Sequence, residues 1–438
     1  MTLVLLVLAC TGKNAADDSG PAAPSLIEEQ PVCASPDVTM VPFDPGDGST
    51  AYTATTEHYA LTIEGFDEDE TLNLASLAET SWGALSNFFG SDVPGPLQVE
   101  IAADDAGFQA MLAADGITGV DGAGGYYDPG TGKAYLFRQP TAYYSRVLMI
   151  HEMVHQYQDK ADGIGGLPFW YVEGLAEALS RHHWDGSCVQ LRVRPLLSWE
   201  DMAAQAQAEL DADGQAGPDL VTVLGGSTPS RALSQELVRV LTSEPDLAPG
   251  FATWRVDVRD GNVSAVDPDA FAADVVSVDD LTTALLAFVP SDQEPMSPVY
   301  LDWIPEGADR ALGFASASSA ARVKGAVTSF ASTVAWPSTG DVGSVYGYDD
   351  STGDVEFAFL AADGTVSRFA VIGGAVTWDN YGSVAHSDTV KWSQAAADGT
   401  TTVSIGGGSV DLPRSLPAAG GLALYGATAD FSAITWGS

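Results

Sequence analysis

The sequence predicts an α+β domain followed by an all-β sandwich, and three observations carry that expectation. Strand-like and helix-like periods alternate up to about residue 182. Residues 195 to 290 read as mostly helical. From about 300 to 438, short alternating runs are separated by Gly, Asp and Ser turns, as in Val355-Glu-Phe-Ala-Phe-Leu, Phe369-Ala-Val-Ile and Thr401-Thr-Val-Ser-Ile. A chain of 438 residues is too long for one ordinary domain, and its 45% hydrophobic content is enough to bury sizeable cores.

In chain order, residues 11–32 are rich in Ala, Asp, Ser, Glu and Pro and read as a flexible tether. A first folded unit is expected over 33–295 and a second over 300–438. His58 to Ile63 alternates as a strand does. Glu70 to Phe89 has an apolar helical side of Leu72, Leu74, Leu77, Trp82, Leu85 and Phe88 or Phe89. Pro96 to Ala102 reads as a strand with Pro at its first position. Gly124 to Tyr127 and Lys133 to Phe137 read as a strand pair across an Asp-Pro-Gly turn. Two helices follow, over about 142–159 and 168–182, the second with Pro168 as a good first residue.

Against 59 acidic residues stand 18 basic ones, a formal net charge of −41. Such a surface repels phosphate backbones and excludes nucleic acid as a partner. Anionic headgroups gain nothing from it either. Solubility, or adaptation to salt, is the plain reading of the charge; steering of a basic substrate is the alternative. No stretch approaches 18 consecutive apolar residues, so membrane attachment is expected only through a lipid anchor.

The chemistry is concentrated in His151-Glu152-Met153-Val154-His155. Residues i and i+4 share a helix face, so two imidazoles can hold one metal ion without backbone strain. Glu152 projects about 100° around the same helix. Catalytic zinc takes three protein ligands and keeps one position open. Glu173 follows in Trp170-Tyr171-Val172-Glu173-Gly174-Leu175-Ala176-Glu177 and supplies the third. Glu177 lies one turn further on and could orient a ligand histidine; the plainer reading is an exposed helical Glu. His182 and His183 read as non-ligands near a helix end where imidazolium is favoured.

HExxH followed by W-x-x-E-G-x-A-E resembles the gluzincin metallopeptidases of clan MA. The resemblance covers about residues 50–290 and implies one Zn2+ held by His151, His155 and Glu173. It makes Glu152 the general base and places Glu177 behind the ligands. It implies a peptide or protein substrate, with a strand such as Lys133–Phe137 forming the edge that holds it. The stretch Leu237 to Leu241, with Ala270-Phe271, resembles the helices that close such domains. Where related domains carry a Tyr, this chain has Ser230-Arg231-Ala232. Arg231 is therefore the candidate anion stabiliser, the alternatives being Tyr126, Tyr127, Tyr171, or an Arg231 that is only a surface residue. The exopeptidase motif G-x-M-x-N is absent, which points to an endopeptidase over an aminopeptidase.

At the other end of the chain, Leu3 to Ala9 and Cys10 resemble the lipobox of bacterial lipoproteins, although the apolar run is short and no Lys or Arg precedes it. That resemblance implies a signal peptide over 1–10, lipid on Cys10, and an exported, envelope-anchored protein. Cys33 and Cys188 are then left as a pair for an oxidising compartment, with two buried thiols as the alternative. The last segment resembles concanavalin-like or laminin-G-like sandwiches of jelly-roll type, in Val345-Tyr-Gly-Tyr, Gly421-Leu-Ala-Leu-Tyr425 and Phe431 to Trp436. Trp336, Trp378 and Trp392 could form a glycan platform there; core packing is the plainer role. The turns at Asp349-Asp350 and Gly353-Asp354 offer Ca2+ the oxygens it takes, or are simply solvated. The expected function is zinc-dependent peptide hydrolysis at the cell envelope. The alternative is a weak or inactive surface lipoprotein that binds a glycan or protein through its sandwich.

Overall fold

The computed structural model describes residues 30–46, 48–196, 202–212, 220–226, 230–291, 295–298, 303–305, 310–314, 318–337 and 339–437. The signal-peptide and lipobox reading, with Cys10, and most of the tether lie outside them. The tether does not extend to residue 32: Val32 already belongs to strand β1 (Val32–Cys33), paired with Val189.

The first unit is built on a six-stranded sheet of β2 (Thr39–Phe43), β3 (Ala51–Thr55), β4 (Tyr59–Glu64), β5 (Leu97–Ala102), β6 (Gly125–Asp128) and β7 (Lys133–Phe137). Its order is β2-β3-β4-β5-β7-β6. The neighbours β4/β5 and β5/β7 are parallel, and β6 closes the row antiparallel to β7. The strand expected at the edge, Lys133–Phe137, is therefore interior. Its register with both Gln98–Ala102 and Gly125–Asp128 buries it, and β6 forms the edge.

Helix α1 (Glu68–Phe89) makes the crossover from β4 to β5. A capping box of Asp67 and Glu70 starts it, and Gly90 ends it at φ 68°, a backbone that favours glycine. Its buried Leu74, Leu77, Ala78 and Leu85 join the core beneath the sheet. Helix α2 (Asp105–Ala114) covers the other face with Phe108 and Leu112, against Tyr135. Helix α3 (Ala142–Ala161) is capped by Thr141, whose hydroxyl accepts from the Tyr144 amide at 3.1 Å. Helix α4 (Phe169–Ser180) follows, with Pro168 as its cap residue instead of its first turn.

The hairpin of β8 (His182–Trp184) and β9 (Cys188–Leu191) joins β1 in a small sheet. There Cys33 and Cys188 are register partners and are joined by a disulfide, with S–S 2.03 Å. Helices α5 (Met202–Ala212), α6 (Leu220–Leu224), α7 (Arg231–Ser243), α8 (Ala248–Arg259), α9 (Pro268–Asp274) and α10 (Val278–Ser291) complete this unit. Among them α7 is the buried one, crossing α4 so closely that a Cβ on Gly174 would meet the Ser234 carbonyl oxygen at 2.5 Å.

The second unit is a two-sheet β-sandwich. One sheet takes β10 (Met296–Pro298), β13 (Ser318–Val323), β22 (Gly421–Tyr425), β15 (Asp341–Tyr348), β16 (Val355–Leu360), β17 (Thr365–Ile372) and β18 (Ala375–Ser383), in that order. The other takes β11 (Trp303–Pro305), β12 (Ala311–Phe314), β23 (Thr428–Gly437), β14 (Ser329–Ala335), β19 (Thr389–Ala397), β20 (Thr400–Ile405) and β21 (Gly408–Pro413). Side chains alternate as a two-faced strand requires: Ala358 and Leu360 enter the core between the sheets, while Phe357 and Phe359 form a cluster on the outer face. Leu196, from the segment leaving β9, is fully buried in the sandwich core, and its carbonyl accepts from the Met296 amide at 3.0 Å. Among the described residues no helix is long and apolar enough to cross a membrane.

Candidate metal centre

The two long helices bring the site together. On α3, His151 and His155 lie one turn apart and face α4, where Glu173 faces back. The Nε2 atoms of His151 and His155 are 3.1 Å apart, and each lies 3.6 Å from a different Glu173 oxygen. A tetrahedral zinc ion with bonds of about 2.0–2.1 Å sets its ligand atoms roughly 3.3 Å apart. The three donors therefore match what one zinc ion needs in both type and spacing. Both histidines are 7% exposed, which shields the site from bulk water. His155 Nδ1 is buried without a hydrogen-bond partner among the described residues, so its remaining nitrogen is not what orients it.

Glu177 is held behind the donors. It is 2% exposed, not the exposed helical Glu that was the plainer expectation. Its Oε1 lies 3.6 Å from His151 Nδ1, beyond hydrogen-bond length but close enough for a strong electrostatic hold. Arg181 donates to Oε2 at 3.2 Å, and Arg231 donates to Oε1. The two guanidinium groups fix the carboxylate from behind, so Glu177 enters the site already oriented.

Glu152 is buried at 4% exposure beside the donors. Burial pushes its carboxyl up to about 7; the charges of Glu173 and Glu177 add to the rise, against His151 and Arg231. Burial and the His151 charge push His155 down to about 4. Burial also works to raise Glu173, but its bond to His151 and the histidine charges outweigh that and hold it at about 2. The set thus divides into an ionised carboxylate, a neutral imidazole and a second carboxylate able to exchange a proton near neutrality.

These groups line a cleft of about 800 Å³ that is roofed by the Gly122–Tyr127 segment. Arg231 reaches it from the first turn of α7, with its side chain 55% exposed. Of the tyrosines considered in its place, Tyr126 and Tyr127 line the cleft and Tyr171 does not. Tyr171 is fully buried, with its hydroxyl between Asp162 and Arg255, and is not on the cleft wall. Tyr127 donates to Asp159 at 2.7 Å. Tyr126 also packs against the Phe108 cluster.

Sequence reasoning missed three parts of the site. Arg181 is four residues past Glu177, a spacing that would have found it. The apolar walls, Tyr144, Val147 and Leu148 before His151 and Phe169 and Val172 before Glu173, follow from the same one-turn arithmetic. Gly125 carried no local signal. Conversely, His182 is not a charged residue at a helix end. It is buried in β8, its ring stacks on Tyr143 and its Nδ1 is 2.8 Å from the Ser180 carbonyl oxygen.

In the sandwich, Trp336 and Trp392 are 1% and 2% exposed, so they are core residues and no platform. Trp378 is 39% exposed on the outer face, with Tyr425 beside it at 43% and ring centroids 5.2 Å apart. Phe359 stacks under Trp378 at 5.7 Å. The aspartates considered for Ca2+ have protein partners: Asp349 accepts from Ser351 within its turn, Asp350 pairs with Arg322, and Asp354 accepts from the Gly373 amide.

No protein-family model and no curated protein matches the chain. Solved structures similar to the C-terminal β-sandwich include a carbohydrate-binding module, CBM66, from Bacillus subtilis, at 18% identity over 33% of this chain and 96% of that one, TM-score 0.29. A tetrameric galectin from the ball sponge Cinachyrella sp. is similar at 15% identity over 28% of this chain and 99% of that one, TM-score 0.23. A native glycosidic hydrolase aligns at 12% identity over 28% of this chain and 75% of that one, TM-score 0.21.

Proposed function

We propose that the first unit is a zinc-dependent peptidase, an endopeptidase by preference, exported and held at the bacterial envelope by lipid on Cys10. The observation that carries the reading is the convergence of His151, His155 and Glu173 donor atoms beside a buried Glu152 on the floor of one cleft. His151, His155 and Glu173 would hold the ion, and zinc so held supplies Lewis-acid polarisation of a carbonyl and acidifies water.

The chain's own residues do the rest. Glu152, with a carboxyl near 7, takes the proton of the attacking water and hands it to the leaving nitrogen. Glu177, gripped by Arg181 and Arg231, keeps the His151 ring turned to the site. Arg231 acts first as a positioning residue for Glu177, and its exposed part adds positive charge to the cleft. The edge strand β6 offers an extended peptide a row of main-chain partners. Glu152→Gln should keep one zinc per chain and abolish chelator-sensitive peptide cleavage; a variant that still cleaves would remove Glu152 from the mechanism.

A second reading belongs to the sandwich, and the exposed Trp378–Tyr425 pair favours it: rings fixed from below present flat apolar faces that suit a neutral sugar. In that reading the protein is a surface lipoprotein that grips a glycan, whether or not its first unit is active. Calorimetry with neutral oligosaccharides separates the cases. Binding lost in Trp378→Ala supports a glycan site, and no binding to a broad oligosaccharide panel removes it.

A further inference from the structure

We infer that the substrate is an extended peptide, read by a second pocket about four residues away from the bond that is cut. This inference rests on the peptidase reading above. The second pocket, about 350 Å³, lies at the N-terminal end of α3, between that helix and the first turns of α1. Gln139 and Pro140 line both it and the metal cleft, so the short link from β7 to α3 is a sill shared by two adjoining cavities.

Distance along α3 sets the reach. Ala142, on the wall of the second pocket, precedes His151 by nine residues, which is about 13 Å of helix. An extended peptide covers about 3.3 Å per residue, so about four residues bridge the gap. The edge strand points the same way. Gly125 abuts Glu152, while a Cβ on Gly124 would meet Leu148 Cδ2 at 3.2 Å and Gln139 Nε2 at 3.6 Å. The segment leading into β6 therefore runs from the sill, at Gly124, to the reacting centre, at Gly125.

Both cavities offer side chains that a bound peptide can meet. Near the metal ligands the wall is apolar, with Tyr144, Val147 and Leu148. Beyond the sill the lining is mixed: the exposed carboxylate of Asp69 and the amide of Asn73 face the buried Phe66, Leu74 and Ser145. The substrate that fits carries a large apolar residue next to the cut bond and, about four positions away, a further side chain that enters the second pocket.

The test uses zinc-loaded protein and peptides with one apolar cleavage position, lengthened one residue at a time on either side. Wild type is compared with Ala142→Phe and Asp69→Phe, both exposed positions that would fill the second pocket. On one side of the cut, kcat/KM should rise about tenfold when the peptide reaches its fourth residue. That step should vanish in both variants, while the shortest peptides are cut at wild-type rates by all three proteins. Rates that do not depend on length, or a step that survives both substitutions, would overturn the inference and leave the peptidase intact. If no peptide of any length is cut by the zinc-loaded wild type, the peptidase reading itself falls, and this inference with it.

Discussion

Gly125 stands where a single added carbon would collide with the Glu152 carboxylate: a Cβ there would lie 2.6 Å from Oε1 and 2.8 Å from Cγ. The roof strand and the base thus touch through the one residue that leaves room. Gly125→Ala is expected to displace Glu152 without touching a zinc donor. A displacement of order 1 Å costs about 100-fold in rate. Steady-state kinetics should therefore show kcat down by about that factor, with bound zinc unchanged. Wild-type kcat in this variant would mean that Glu152 is free to move and is not held by the roof.

Glu177→Gln tests the grip behind the ligands. The amide keeps the shape but loses the charge that Arg181, Arg231 and His151 share. Loss of such a partner typically lowers metal affinity about 10–100-fold. Competition with a chelator of known affinity measures it directly. An unchanged affinity would assign Glu177 to the fold alone, as an anchor for α7.

The disulfide ties β1 to β9 across a separation of 155 residues. A cross-link closing so long a loop restricts the unfolded chain by about 4–5 kcal/mol. Replacing Cys33 and Cys188 with Ser together should lower the denaturant midpoint of the first unit by a corresponding amount, and leave the sandwich transition in place. Equal midpoints would show that the cross-link contributes nothing to the stability of this unit.

The cluster of His151, His155 and Glu173 was legible because its signal is local. HExxH fixes two donors on one helix, and the next helix carries the third within eighteen positions. The sandwich was legible from alternation, and the strands at Val355–Leu360 and Thr400–Ile405 lie within a residue of the expected runs. What sequence could not supply is which partner each strand meets. The interior place of Lys133–Phe137 depends on β5 and β6 pairing on either side of it. The same limit hid the roles of the tryptophans. Trp336 and Trp392 point between the sheets while Trp378 points out, and strand alternation alone does not name the inner face. Gly125 and the Leu196 insertion into the sandwich depend on contacts between distant segments, for which no short-range pattern exists.

His182 gives the first unit an acid-sensitive joint. Its ring is 1% exposed, stacked on Tyr143, and its Nδ1–H donates to the Ser180 carbonyl at 2.8 Å. Burial, with the nearby Arg146 charge, pushes it down to about 3, against 6.5 for a free histidine. A depressed histidine binds its proton more readily in the unfolded chain. Stability is therefore unaffected above about pH 6.5 and falls as pH drops from there toward 3. At pH 5 the loss amounts to about 2 kcal/mol from this residue. His182→Asn keeps a donor for Ser180 but cannot titrate. Denaturant unfolding of both proteins between pH 7.5 and 4.5 should show the wild type losing its margin faster, so that the two curves converge on acidification. Parallel curves would mean that His182 binds its proton equally well in the folded and unfolded chain, its burial being offset by a partner beyond Ser180.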